Sequence, residues 1–186
     1  MLSRIVYKEF KNLNYTKKLN LKNNDQIKQK ILERLDVIES SISLTKDIEQ
    51  SIDVIIKCLK KGNKIVLFGN GGSAADAQHI AAELIGKFNL KRKSLPAIAL
   101  TSNSSTITAL SNDYSSDVIF SRQCESLVNE GDTVIGISTS GNSLNVYNGL
   151  KISKKQGAKT IAMLGNNGGK ISEVADVSII VNSKNT

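Results

Sequence analysis

Lys64-Ile-Val-Leu-Phe-Gly-Asn-Gly-Gly-Ser-Ala-Ala-Asp-Ala-Gln-His-Ile-Ala-Ala-Glu83 is the stretch whose reading decides the fold. It begins as a short apolar run, turns through Gly69-Asn70-Gly71-Gly72-Ser73, and continues as an Ala-rich helical pattern. A continuous apolar run is the mark of a strand buried on both faces, as parallel strands are. The same grammar recurs downstream. Further runs stand at Leu95–Leu100, Thr133–Ile137, Thr160–Leu164 and Val177–Val181. Helical segments separate them, expected at about 73–88, 104–112, 121–129, 143–156 and a short piece near 169–175. Alternating strands and helices predict an α/β fold, with a parallel sheet covered by helices on both sides and right-handed crossovers.

Upstream, the period changes to that of helices. Ile27, Ile31, Leu35, Ile38 and Ile42 form one apolar stripe, and Ile48, Ile52, Ile55, Ile56 and Leu59 a second. Thr45 is the expected N-cap of the second helix and Gly62 its stop. Two amphipathic helices therefore precede the first strand. The last strand ends near Val181, which raises the question of what covers the sheet. The early helices, a partner chain, or further chain beyond Thr186 could do so.

The 186 residues carry a net charge of +8 with one His and two Cys. That length suits one domain. Residues 1–34 hold nine basic and three acidic residues, a net of +6, so the basic character lies in a leader over about 1–24 and the remainder is nearly neutral. Only Tyr7, Phe10 and Tyr15 interleave with those charges, which argues against nucleic acid binding. No run approaches the ~20 apolar residues of a membrane span, and no signal-peptide pattern opens the chain. Cys58 and Cys124 make neither a disulfide framework nor a CxxC knuckle. A cytoplasmic protein with no membrane contact is expected.

Open α/β sheets bind ligands at the C-terminal ends of their strands. Gly69-Asn-Gly-Gly-Ser73 matches neither GxGxxG nor GxxxxGK[ST], which argues against a dinucleotide or P-loop site. Ser138-Thr139-Ser140-Gly141-Asn142-Ser143 places four hydroxyls between a strand and a helix. Hydroxyls and open N–H groups there can hold a phosphate; the bland alternative is a Ser-rich turn with an N-cap. His79 and Glu83 stand four apart and share a helical face, a spacing that suits a divalent ion such as zinc. Two ligands do not complete a site, and a surface hydrogen-bonded pair, or Glu83 as a general base, remain open readings.

Together, Gly69–Glu83, Asn112-Asp113, Phe120-Ser-Arg122 and Gly136–Ser143 resemble the sugar isomerase (SIS) domain family, and most nearly its phosphoheptose isomerase branch. The resemblance covers about residues 27–186. It implies a flavodoxin-like, five-stranded parallel sheet in a homotetramer with active sites at subunit interfaces. It implies the conversion of sedoheptulose 7-phosphate to D-glycero-D-manno-heptose 7-phosphate through an enediol(ate), toward heptose for bacterial lipopolysaccharide or capsule. By position, Ser138, Thr139, Ser140 and Ser143 would bind the phosphate, while Asn70, Gly71, Gly72, Ser73, Asn112 and Asp113 would contact the substrate. His79 and Glu83 would hold one zinc ion per site, with Glu83 also the catalytic base. The family continues past its last strand with a helix that carries further zinc ligands, so these are expected beyond Thr186. The rival expectation is a non-catalytic SIS module that binds a sugar phosphate or a protein partner. A third is an isomerase of another ketose phosphate.

Overall fold

A computed structural model describes residues 24–183, in two units that divide between Ser40 and Ser41. The leader over 1–23 lies outside the described residues. The first unit contributes helix α1 (Asn24–Ser40). Its apolar stripe runs Ile27, Ile31, Leu35, Ile38 at the expected helical spacing. Ile42 falls outside it, in a 3₁₀ turn over Ser41–Leu44.

The second unit holds the sheet. Helix α2 (Thr45–Lys60) leads into β1 (Ile65–Gly69), α3 (Gly72–Ile85), β2 (Ala97–Ala99) and α4 (Ser104–Asp113). After a 3₁₀ turn at Ser116–Val118 come α5 (Ile119–Leu127), β3 (Thr133–Ser138), α6 (Leu144–Lys155) and β4 (Lys159–Leu164). A 3₁₀ turn over Gly169–Glu173 precedes β5 (Val177–Ile180). All pairings are parallel, in the order β2-β1-β3-β4-β5. The predicted α/β class and all five strands are present.

Thr45 does not cap α2. Leu44 occupies the cap position without a side-chain bond, and the Thr45 hydroxyl instead donates back to Ile42 O at 3.0 Å. The preceding turn is already helical in character, so Thr45 never takes the extended conformation a cap needs. Strand β2 is shorter than its apolar run, because Pro96 has no N–H to offer; its carbonyl still accepts from Ile65 N at 2.9 Å.

Alternation along the strands feeds two cores. Ile65, Leu67, Ile135, Ile137, Ile161 and Val177 pack on one face with Cys58 of α2 and Ala77 and Ala81 of α3. Val66, Phe68, Val134, Ala162 and Leu164 pack on the other, with Phe120, Cys124, Val146 and Leu150 from α5 and α6. Phe68 and Phe120 stack there at 4.8 Å between centroids. Helix α2 thus covers part of the face that the short chain end left in question. Central β1 and β3 are buried throughout, and each leads directly into the turn that carries the candidate site residues.

Candidate active site

The turn after β1 opens helix α3. Asn70 is exposed, and Gly71 adopts φ 56° at the N-cap position with no side-chain cap bond. The first-turn N–H groups of α3 are therefore left without a side-chain acceptor, and they carry the positive end of the helix dipole. Ser73 is 8% exposed, and its N–H donates to Asn70 O at 3.0 Å, which tightens the turn.

The turn after β3 gathers the hydroxyls. Ser138 is 3% exposed, and its Oγ lies 3.1 Å from Ser143 Oγ and 3.4 Å from Ser140 Oγ. Ser143 precedes α6 as its N-cap residue but makes no capping bond, because its hydroxyl meets Ser138 instead. The Ser140 hydroxyl also accepts from Asn142 N at 3.1 Å. Gly141 allows this shape. Its φ is +69°, and a Cβ there would strike the backbone of Gly168. The turn after β4 buttresses the hydroxyl turn: Asn166 Nδ2 donates to Thr139 O at 3.0 Å, Lys170 N to Asn142 Oδ1 at 3.1 Å and Ile171 N to Gly141 O at 3.0 Å.

Gly72, Ser73, Thr139 and Ser140 line one cavity of about 610 Å³, with Asp76, Asn166 and the apolar side chains of Ile137, Met163 and Ile179 among its other walls. Among the described residues, no Lys or Arg lines it. An anion there would be held by hydroxyls, backbone N–H groups and a helix terminus.

His79 and Glu83 project from the same face of α3, with Nε2 3.4 Å from Oε1. That separation is about the distance two ligands of a tetrahedral zinc keep when each bond is about 2.0–2.2 Å. The pair thus fits two corners of such a site. Among the described residues, no group of three or more metal-ligating side chains forms. The side chains are 73% and 41% exposed, so burial of Glu83 is not supplied by this part of the chain. They line a second cavity, of about 650 Å³, with Ile80, Leu84, Lys87, Phe88, Leu90 and Arg92. Arg92 closes the end of α3, donating from Nη2 to Glu83 O and from Nη1 to Leu84 O, both at 2.8 Å.

The structure therefore brings Ser73 and the hydroxyl turn together, and places His79 and Glu83 in a separate cavity. Asn112 and Asp113 end α4 and bond to each other at 2.9 Å; neither lines the two cavities. Asp76 and Asn166, which the sequence reading passed over, do line the first. Asp76 had a legible signal, since it stands three residues after Ser73 on the same helix. Asn166 had only its place in a strand-end turn.

A parallel sheet in this order, with a Gly-rich turn and a hydroxyl turn at the ends of its two central strands, defines an α/β domain with a cavity at its strand ends. The SIS domain model matches residues 25–165. A probable phosphoheptose isomerase of Thermoplasma volcanium is 51% identical over 166 residues, covering 86% of this chain and 84% of that protein. The phosphoheptose isomerase of Aquifex aeolicus is 57% identical over 141 residues, 74% of each. The structure of phosphoheptose isomerase from Neisseria gonorrhoeae superposes with a TM-score of 0.82 at 37% identity, over 87% of each chain. The chain belongs to the SIS-domain family, in its phosphoheptose isomerase branch, and is a phosphosugar isomerase.

Proposed function

We propose that the chain interconverts sedoheptulose 7-phosphate and D-glycero-D-manno-heptose 7-phosphate, supplying heptose for a bacterial lipopolysaccharide or capsule from the cytoplasm. The observation that carries this reading is the hydroxyl turn at the end of β3, where Ser138 Oγ meets Ser143 Oγ at 3.1 Å and Thr139 and Ser140 line a cavity with Gly72 and Ser73. Its relatives named phosphoheptose isomerase give the sugar.

Ser138, Thr139, Ser140 and Ser143 anchor the phosphate, Gly72 and Ser73 line the same cavity, and Asn70 and Gly71 of that turn contact the substrate. Asn112 and Asp113 contact the sugar. Fixing the phosphate turns binding energy into orientation of the distant carbonyl end. Glu83 removes the C1 proton of the ketose, and the C1–H electron pair becomes the C1–C2 double bond as O2 gains a proton. Glu83 returns its proton to C2, and O1 loses one as the aldehyde forms, so no proton is consumed overall. Of the Glu83 carboxylate oxygens, Oε1 faces His79, which leaves Oε2 for proton transfer. Zinc held by His79 and Glu83 would supply Lewis acidity toward the carbonyl oxygen.

The two cavities of one chain support a homotetramer with shared sites. Ser73 and Glu83 are ten residues apart on α3, about 15 Å along the axis. The pair and the hydroxyl turn of one chain open into different cavities. Phe88 and Leu90, 68% and 74% exposed beside Glu83, form an apolar rim suited to cover by a second copy.

Glu83→Gln and metal analysis test the reading. The variant should fold normally and lose activity by about 10²–10⁴-fold, the usual worth of a general base. The purified protein should carry one zinc per chain. Full activity in the variant would remove Glu83 from the role.

A further inference from the structure

Asn145 lies two residues past the hydroxyl turn, half-buried in the first turn of α6. Its amide is paired face to face with that of Asn70, a residue 75 positions away. Asn70 Nδ2 donates to Asn145 Oδ1 at 2.9 Å, and Asn145 Nδ2 donates to Asn70 Oδ1 at 3.1 Å. A two-point amide pair fixes both the separation and the plane of the partners, as a single bond would not. The second Nδ2 hydrogen of Asn145 goes to Ser116 O at 3.2 Å. Ser116 opens the 3₁₀ turn that follows the Asn112-Asp113 segment. One turn further along α6, Asn148 Nδ2 donates to Asp117 O at 3.1 Å in that same turn.

Three chain segments that carry expected substrate contacts thus converge on one side chain. The Asn70 turn is reached by the amide pair, the end of α4 through Ser116, and the hydroxyl turn by direct succession along the chain. Both Nδ2 hydrogens of Asn145 and one lone pair of Oδ1 are spent on these joints.

We propose that Asn145 is a positioning residue, which holds the Asn70 turn and the Ser116 turn in register with the phosphate anchor. It acts through its neighbours rather than on the substrate. Without it the phosphate is still bound, but the sugar end is held by turns that no longer share a fixed frame. Misplacement on the ångström scale costs rate rather than ground-state affinity. The kinetic part of this inference rests on the isomerase reading above.

The test uses the full chain with Asn145→Ala and Asn145→Ser, the latter in case the alanine variant folds poorly. With sedoheptulose 7-phosphate, kcat should fall by an order of tenfold to a hundredfold while KM changes by less than about threefold. In a cycle with Asn70→Ala, the loss in the double variant should be smaller than the product of the two single losses, because the amide pair is lost once while the joint to Ser116 is lost only with Asn145. Multiplying losses, or an unchanged kcat in both Asn145 variants, would overturn the proposal. Amide hydrogen exchange supplies an arm independent of turnover. Exchange should quicken over residues 70–73 and 114–118 in Asn145→Ala and stay unchanged in β3. Unchanged exchange in those turns would overturn the proposal even if wild-type protein turned over no heptose phosphate, an outcome that would by itself refute only the substrate reading.

Discussion

Gly141 shows how one residue sets the shape of the hydroxyl turn. Its positive φ lets Gly141 O accept from Ile171 N while the turn presents Thr139 and Ser140 to the cavity. Gly141→Ala should cost about 1–2 kcal/mol from the left-handed conformation alone, with the collision against Gly168 adding to it. A lower melting temperature and a raised KM for the phosphorylated substrate are the expected readouts. The clustering of the hydroxyls was legible from their density at a strand end. The pairing of Asn145 was not. An Asn after an N-cap reads as ordinary helix surface, and nothing in the chain announces that it meets Asn70. Pairs of distant polar residues become visible only when topology brings their turns side by side.

Among the elements, Asp176 is the joint between β4, β5 and α6. Its carboxylate accepts from Thr160 N and Thr160 Oγ1, both at 2.9 Å, and pairs with Lys154 Nζ at 3.0 Å. Burial pushes its pKa up, but the Thr160 and Lys154 donors outweigh that and hold it below the ordinary aspartate value. The unfolded chain therefore takes up this proton first as pH falls. The stabilisation is whole above the unfolded value of about 3.9 and drains as pH drops through the lower folded value. Asp176→Asn should lower the urea midpoint at pH 6 and flatten its decline between pH 5 and 3. Equal slopes in the two proteins would contradict this assignment. The elements themselves were readable because β1 and β3 are unbroken apolar runs and the helices between them keep a clear period. Their edges were less so. The run before Leu100 contains Pro96, which trims β2, and Thr45 looks like a cap that the preceding 3₁₀ turn makes unnecessary.

For the whole molecule, the separation of the two cavities is the consequential feature. Sequence order places His79 and Glu83 a few residues after the Gly-rich turn, which invites the picture of one compact site. A helix converts that closeness into axial distance, so the pair is displaced from the hydroxyl turn of its own chain. The proposed sharing of sites between copies predicts complementation. Glu83→Gln and a phosphate-turn variant such as Thr139→Ala should each be weak alone, and should recover part of the wild-type rate when unfolded and refolded together. No recovery would place each site within one chain. The central claim is isomerisation of a seven-carbon sugar phosphate through an enediol. It is tested most directly by incubating the protein in D₂O with five-, six- and seven-carbon ketose phosphates and following the products by NMR. Sedoheptulose 7-phosphate should be converted fastest, to the aldose 7-phosphate, with deuterium entering at C2 to the extent that the Glu83 carboxyl exchanges with solvent before it protonates C2. No conversion, or faster conversion of a five- or six-carbon ketose phosphate, would contradict that claim.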